Sequence, residues 1–152
     1  MKILQASVDH LDELTFLFDS YRIFYRLSPD PEAEKKFLRE RIENEESIVY
    51  VAVDDSECMV GFAQLYPLFS STRMKRLWLL NDLFVKPDHR GKGIGKLLIE
   101  KCKVLARETN AAGLSLETEK NNLIGNYLYP STGFEVDIQH NYYFWINHPK
   151  PL

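Results

Sequence analysis

The sequence has few cysteines, no long apolar run and no excess of basic charge. Its 152 residues contain only two cysteines, Cys58 and Cys102, too few for a disulfide framework or a cysteine-rich metal site. Both lie in apolar stretches, so we expect reduced thiols in the core. No segment approaches the ~20 apolar residues of a membrane span, and polar residues interrupt the N-terminus where a signal peptide would be apolar. The formal net charge of −3 gives no electrostatic footprint for nucleic acid.

We therefore expect one cytoplasmic domain over residues 1–152, with no nucleic-acid or membrane partner. Strand and helix patterns alternate along it, which predicts an α/β (α+β) fold whose helices cover a mixed sheet. The expected strands are 2–6, Ile48–Val53, Met59–Leu68, Leu77–Val85 and Leu114–Thr118, with two short strands in 134–146. The expected helices are one capped by Asp9, one from Asp30 to about Asn44, and then 92–109 and 122–130.

Three alternating glycines follow the strand that ends at Val85. Arg90, Gly93 and Gly95 have the spacing R-x-x-G-x-G, and a helix pattern begins directly after them. Glycine lets the backbone approach a ligand closely. The N-terminus of a helix presents unpaired N–H groups and the positive end of the helix dipole. The loop therefore predicts a site for an anion, most naturally a phosphate or pyrophosphate.

Two other phosphate-binding loops do not fit this sequence. A Walker loop places Ser or Thr after Gly-Lys, whereas Leu97 follows Gly95-Lys96, so no hydroxyl is offered to magnesium. A dinucleotide fingerprint needs a third glycine where Lys96 stands, and it opens a βαβ unit, whereas about 85 residues precede this loop. A glycine-rich turn that only starts a helix is the remaining alternative.

The loop resembles the acetyl-CoA loop of the GNAT superfamily of N-acetyltransferases, and a second motif agrees. Residues 122–134 read N-L-I-G-N-Y-L-Y-P-S-T-G-F, similar to the family pattern N-x-x-A-x-x-L-Y-x-x-x-G-F. Gly125 replaces the usual alanine. The resemblance implies the GNAT fold, a mixed sheet of about six to seven strands flanked by about four helices. It also implies direct transfer of an acetyl group from acetyl-CoA to a primary amine, without a metal.

The same resemblance implies the cofactor contacts. The backbone of Leu83, Phe84 and Val85 is implied to pair with the pantetheine arm, and these backbone groups need partners in any case. The loop is implied to hold the pyrophosphate through Arg90, Gly91, Lys92, Gly93, Ile94, Gly95 and Lys96, largely by backbone N–H groups. Seven basic and two acidic residues in 86–107 favour the approach of a polyanion. Lys101, Lys103 and Arg107 fit a solvent-exposed helix face equally well.

Tyr129 is the candidate general acid and a further cofactor contact. A phenol placed near sulfur can protonate the departing thiolate, although a tyrosine at this position also fits the core. Asn122 is implied to bond near the pantetheine, or it caps the following helix. Pro130 directly follows Tyr129 and disfavours helical geometry there, so we expect the helix to end or bend at this point.

A proton acceptor for the amine is harder to place. Asp82, which alternates with Phe84 on its strand, is the candidate base or amine-binding residue, and a structural role is the alternative. Glu117 and Glu119 are further carboxylates near strand ends. Tyr21, Arg22, Tyr25 and Arg26 end the first helix and are candidates for the acceptor pocket or for helix packing.

The acceptor is expected to be a small-molecule or peptide amine; polyamines, amino acids and lysine side chains all fit. The rival function is that of a non-catalytic acyl-CoA-binding sensor or partner-binding module on the same fold. Four consecutive aromatics lie in Tyr142–Trp145, and a half-buried strand would expose two of them. Adjacent exposed aromatics favour an interface, so we predict a homodimer through these residues, unless helices cover both faces.

Overall fold

A mixed sheet of five strands forms the centre of the computed structural model, which describes residues 1–148. The strands lie in sequence order and are β1 (Lys2–Gln5), β2 (Ile48–Val53), β3 (Met59–Ser70), β4 (Lys75–Val85) and β5 (Leu114–Ser115). Strands β1 to β4 pair antiparallel, and β5 runs parallel to β4. A parallel pair requires a crossover connection, and a helix between β4 and β5 supplies it.

The described residues form four α-helices, α1 (Leu11–Phe24), α2 (Pro31–Glu43), α3 (Ile94–Glu108) and α4 (Leu123–Ser131). Asp30 caps α2 as predicted, since its carboxylate accepts the N–H of Ala33. The prediction that Asp9 caps the first helix is wrong. Asp9 lies inside a 3₁₀ turn over Val8–His10, because the Ser7 N–H donates to His10 Nδ1 across that turn. The α-helix begins only after the turn.

The two faces of the sheet carry separate apolar clusters. Val49 and Val51 of β2 pack with α1 and α2, whereas Tyr50 and Ala52 pack with α3. Successive side chains of a strand point to opposite faces, so a strand covered on both faces needs apolar residues throughout. This explains why β2 reads as a continuous apolar run, and it makes the predicted helix-covered α/β architecture correct.

The sheet has fewer strands than the six to seven expected. Residues 134–148 form no strand, and β5 has two residues where 114–118 were expected. The apolar alternation in these segments is genuine, but a strand also needs a neighbour with which to pair.

The expectation that both cysteines are core thiols is correct for one cysteine and wrong for the other. Cys102 is buried in α3, whereas Cys58 is exposed in the turn before β3, where its N–H donates to Asp54.

Strands β4 and β5 separate soon after they meet. They pair only at Trp78–Leu114 and Leu79–Ser115. Just beyond, β4 carries a bulge: Leu80 lies opposite Leu65 and Asp82 lies opposite Gln64, which leaves Asn81 as the extra residue. Bulges bend a strand locally, and the last residues of β4 border a cleft rather than a neighbouring strand.

Within residues 1–148, no helix has the length and apolarity to cross a membrane.

Candidate active site

A cavity of about 430 Å³ lies where β4 and β5 part. Its walls come from the C-terminal end of α1, the end of β4, the glycine loop with the start of α3, and α4. The lining residues are Phe24, Tyr25, Leu83, Phe84, Val85, His89, Arg90, Gly91, Gly93, Ile94, Gly95, Lys96, Asn122, Ile124, Gly125, Tyr127, Leu128 and Tyr129. The fold therefore brings together the two motifs that the sequence separates. Of the residues predicted as cofactor contacts, general acid or base, only Lys92 and Asp82 do not line this cavity.

The glycine loop turns sharply into α3. Gly91 and Gly93 have φ angles of +74° and +80°, a region that side chains with a Cβ atom disfavour. A Cβ at either position would meet no atom within 4 Å, so these glycines are required by backbone conformation and leave the loop surface open. Helix α3 begins at Ile94, and its first N–H groups are those a helix leaves without internal partners. The loop thus has the form expected of an anion site.

The end of β4 has backbone groups directed towards the cavity. The Lys86 N–H donates to the Val60 carbonyl across the β3–β4 pair. Since alternate residues of a strand direct their N–H and C=O groups to opposite sides, those of Val85 and Leu83 point away from β3. β5 has already diverged at this level. Leu83 therefore presents a donor and an acceptor to the cavity. The Phe84 backbone, opposite Phe62, faces β3 instead, so the expectation that it faces the cofactor is wrong.

Arg90 bridges the loop and the strand. Its Nε donates to the Val85 carbonyl over 2.8 Å, and its guanidinium lies 5.3 Å from the Phe24 ring centre and 5.6 Å from that of Phe84. Arginine stacks well on aromatic faces. The side chain thus ties the loop, α1 and β4 together at the cavity wall, a contact that the spacing R-x-x-G-x-G does not reveal.

The other basic residues have different surroundings. Lys96 lines the cavity, whereas Lys92 is exposed on the loop outside it. Lys103 bonds to Glu100 and to the Thr132 carbonyl, and Lys101 lies over the ring of Tyr50. The basic excess around the loop is therefore partly structural. Lys96 and Arg90 are the cations placed to meet an anion in the cavity.

Helix α4 forms the opposite wall. The Asn122 side chain accepts the N–H of Gly125 and donates to Thr118, so it caps the helix and also lines the cavity. A Cβ at Gly125 would lie 2.6 Å from the Asn122 amide nitrogen and 3.2 Å from the Tyr129 ring. Asn122 and Tyr129 pack where the alanine methyl of the general family pattern would lie. Pro130 falls in the final turn of α4, which ends at Ser131, as predicted.

Tyr129 faces the cavity from α4 and packs edge-on against Phe134, with 5.9 Å between ring centres. Burial, with a smaller contribution from Tyr25, raises the pKa of Tyr129 to about 12. The phenol therefore keeps its proton at neutral pH. Burial is also the largest cause of the raised pKa of Tyr25. Two protonated phenols thus stand at the same end of the cavity.

Asp82 lies behind this end of the cavity rather than in its wall. It is 4% exposed, and its carboxylate accepts from Gln64 Nε2 at 2.8 Å and from Asn81 Nδ2 at 3.0 Å. Burial raises the pKa of Asp82, and hydrogen bonding by Gln64, Tyr21 and Asn81 opposes that rise. In turn, burial and the neighbouring Asp82 raise the pKa of Tyr21. Tyr21 packs against Phe84, which lines the cavity, so the Tyr21 side chain neighbours both Asp82 and the cavity wall.

The remaining sequence candidates lie at the margin. Glu119 pairs with Arg26 across 2.8 Å, Glu117 is exposed, and Arg22 pairs with the buried Glu34. The sequence analysis missed Phe24, His89, Ile124, Tyr127 and Leu128, which line the cavity. Ile124, Tyr127 and Leu128 fall between the motif positions, and their apolar character alone gave no functional signal. No cluster of metal-ligating side chains occurs in residues 1–148.

Comparison with known proteins agrees with this geometry. A sequence model of the Acetyltransferase (GNAT) family matches residues 13–134, a span that contains both motifs and every cavity-lining residue. The chain therefore belongs to the GNAT family and is an N-acetyltransferase.

Individual relatives cover nearly the whole chain. The uncharacterized N-acetyltransferase YhfO of Bacillus subtilis strain 168 is 42% identical over 90% of this chain and 91% of its own. A probable acetyltransferase of Haemophilus influenzae is 32% identical over 90% of this chain and 92% of its own. A crystal structure of a probable acetyltransferase superposes with a TM-score of 0.93 at 38% identity, covering 99% of this chain and all of that one. The GNAT fold is thus shown.

Proposed function

We propose that the chain transfers an acetyl group from acetyl-CoA directly to a primary amine, with Tyr129 as general acid. One observation supports this most: a single cavity contains the glycine loop, the free backbone of β4 and the Tyr129 phenol. These are the three parts that the reaction needs, namely a phosphate site, an extended groove and a proton donor. The GNAT family uses acetyl-CoA as its cosubstrate.

The residues present fit coenzyme A. Its pyrophosphate would lie against the N–H groups at the start of α3, which favour an anion, with Lys96 beside them. Its pantetheine arm carries amide groups that would pair with the N–H and C=O of Leu83. The open space around Gly91 and Gly93 leaves the loop backbone accessible, so the main chain supplies most of the recognition.

Tyr129 would act on the sulfur. When the amine nitrogen bonds to the thioester carbonyl carbon, the C–S bond breaks and the sulfur takes the bond's electron pair. The Tyr129 proton can then move to sulfur. A pKa of about 12 keeps the phenol protonated at neutral pH, so a donor is present when the C–S bond breaks. Because an ordinary thiol has a pKa of ~8.5, transfer to sulfur is uphill, and the tyrosinate regains a proton, through solvent, from the nitrogen that has just been acetylated.

An ammonium substrate must lose a proton before its nitrogen can attack. We propose that Asp82 accepts this proton through Tyr21, which neighbours Asp82 and packs against Phe84 of the cavity wall. The raised pKa of Asp82 makes it a stronger base than an exposed aspartate. Overall the amine becomes an amide, coenzyme A leaves as a thiol, and one proton passes to solvent.

The acceptor is proposed to be a small-molecule or peptide amine that enters beside Tyr25. Glu119 and Asp82 lie at this end, and their carboxylates favour a cationic acceptor over an anionic one. Arg26 neutralises part of that charge through its pair with Glu119. The enzyme is therefore expected to take amines whose other groups are neutral or cationic.

The test is acetyl-CoA turnover with a panel of polyamines, amino acids and lysine peptides, measured as free thiol. The exposed Cys58 would itself react with a thiol reagent, so the assay is run with the Cys58→Ser variant. We expect turnover with at least one amine and loss of it in Tyr129→Phe. Tight acetyl-CoA binding by calorimetry without turnover on any amine would instead favour the acyl-CoA-binding sensor.

A further inference from the structure

The last part of the described chain is a C-terminal arm, which we define as residues 135–148. Every residue in it is exposed, including Ile138 at 89% and Trp145 at 79%. Its recorded hydrogen bonds all join residues of the arm to one another. The arm therefore makes no hydrogen bond to the described residues of its own domain, although it contains four consecutive aromatic residues.

The arm has the pattern of a β-hairpin. Val136 and Ile138 alternate with polar residues before a turn in which the Asp137 carboxylate accepts the N–H groups of Gln139 and His140. The four aromatics Tyr142–Trp145 follow the turn. Backbone N–H and C=O groups in such segments need partners, and a strand receives them from a sheet edge.

The domain presents a matching edge at β5. Within residues 1–148, β5 pairs with β4 alone, so its other side is open. Leu114 and Leu116 along this edge and Phe134 at the base of the arm are only partly buried on the α3-side core. An open edge beside an incompletely covered core is a template for an added strand.

We infer that two copies of this chain exchange their C-terminal arms, each arm adding strands to the β5 edge of the other copy. Exchange of an identical element satisfies both arms and both edges under one two-fold axis. Three aromatic side chains at roughly 200 Å² each would bury about 600 Å² per arm. Two arms and the edges that receive them therefore exceed the ~1,600 Å² of a standard interface.

The exchange also affects the active site. Thr118, just beyond β5, accepts a hydrogen bond from the side chain of Asn122, which lines the cavity. An arm paired along this edge passes next to that contact. The partner copy thus supplies an outer wall to the acceptor end, whatever amine is bound there.

The first test measures mass and arm protection together. Light scattering behind a sizing column is expected to give twice the chain mass of 17.8 kDa, and hydrogen exchange is expected to show slow amides in the arm. Trp145→Asp combined with Tyr143→Asp should give a monomer with fast-exchanging arm amides. Phe16→Asp is the matched control, since Phe16 is 65% exposed on α1, which covers the face of the sheet opposite the α3-side core, and the variant should leave the dimer intact. A wild-type monomer, or a dimer whose arm amides exchange fast, overturns the inference.

The second test separates exchange from an arm folded onto its own sheet. In a Cys58→Ser background, Ser115→Cys and Val136→Cys are placed in one chain and treated with a short bis-maleimide; the native Cys102 is buried. Exchange predicts a covalent dimer on a denaturing gel and little of it from either single cysteine. A cross-linked monomer, shown by peptide mapping to join both cysteines of one chain, contradicts exchange even if the protein is dimeric.

Discussion

Arg90 donates from Nε to the Val85 backbone carbonyl over 2.8 Å, and this bond joins the glycine loop to the strand beside the cavity. The guanidinium also lies between the Phe24 and Phe84 rings. Arg90 is thus held by contacts that fix its direction, and the loop is held with it. The arginine of the R-x-x-G-x-G motif therefore has a structural function in addition to its charge.

Replacing this side chain tests that function. Arg90→Lys keeps the charge but loses the planar stacking and the Nε donor. We expect the free energy of unfolding to fall by about 1 kcal/mol, the value of one hydrogen bond, and acetyl-CoA affinity to fall severalfold. Urea unfolding and calorimetric titration measure the two quantities. Arg73→Lys, in the exposed β3–β4 turn, should change neither; if Arg90→Lys also changes neither, the loop does not depend on this contact.

The second prediction concerns the contact between α3 and α4. A Cβ at Gly95 would lie 3.3 Å from Leu128 Cδ2, so the branches of valine would fill the gap between the helices where the cofactor is proposed to enter. We expect Gly95→Val to abolish acetyl-CoA binding in a folded protein, and Gly93→Val to do the same with added strain from its φ of +80°. Calorimetric titration and circular dichroism check this. Gly113→Val, where a Cβ meets nothing within 4 Å, is the control. Normal affinity in folded Gly95→Val would remove the cofactor from this cavity.

The third prediction concerns Tyr129. Tyr129→Phe removes the proton donor but keeps the ring against Phe134, so turnover should fall by roughly 10²-fold or more while acetyl-CoA affinity changes little. Because the pKa of this phenol is about 12, it stays protonated throughout the accessible range. Wild-type turnover should therefore show no alkaline decrease from Tyr129 below about pH 10. Tyr50→Phe, on β2, should keep normal turnover. Near-normal turnover in Tyr129→Phe would assign Tyr129 to the core alone.

The fourth prediction concerns the pH dependence that Asp82 creates. Its folded-state pKa is raised above the ordinary value of 3.8. Its contribution to stability is thus complete below that value and is lost as pH rises through the raised pKa, because the buried carboxyl must then ionise. Asp82→Asn cannot ionise. The unfolding free energy of this variant minus that of the wild type at the same pH should therefore increase as pH rises from about 4 to 8.

Activity gives a second measure of Asp82. If Asp82 accepts the amine proton through Tyr21, wild-type kcat/KM should rise with pH as the carboxyl ionises, and Asp82→Asn should lose that limb of the profile. Tyr21→Phe should reduce turnover without removing the stability difference, since it leaves the carboxyl in place. Parallel pH profiles for wild type and Asp82→Asn would leave Asp82 with a structural role only.

Local patterns predicted most of the helices and strands correctly. The Asp30 cap, the hairpin after Ile48 and the helix after the glycine loop each follow from contacts between residues close in sequence. The first helix start was missed because a side-chain pair, Ser7 with His10, formed a 3₁₀ turn that competes with the Asp9 cap. Such competition depends on which side-chain hydrogen bond is made at the start of the helix, and it leaves little trace in the composition of the sequence.

The candidate site was predicted in part. Both motifs and the family were readable from Arg90 to Phe134, because glycine spacing and the Asn122–Tyr129 interval reflect direct constraints on backbone and ligand. The position of Phe24 was not, since α1 reaches the cavity only through the packing of its other residues, and Tyr25 was only one of four candidates at the end of that helix. The separation of Asp82 from the cavity depends on the β4 bulge at Asn81, which one extra residue creates without any change of pattern.

The sequence by itself determined the family, the alternating α/β order and the glycine loop that precedes α3, because each depends on residue type at short fixed spacing. Only the tertiary structure decided that Asp82 is buried, that Arg90 binds Val85, and that the arm after Phe134 lies outside the five-stranded sheet. Those outcomes depend on which segments become neighbours. Hydrophobic alternation specifies which face of a strand prefers burial, but not which chain provides the surface that buries it.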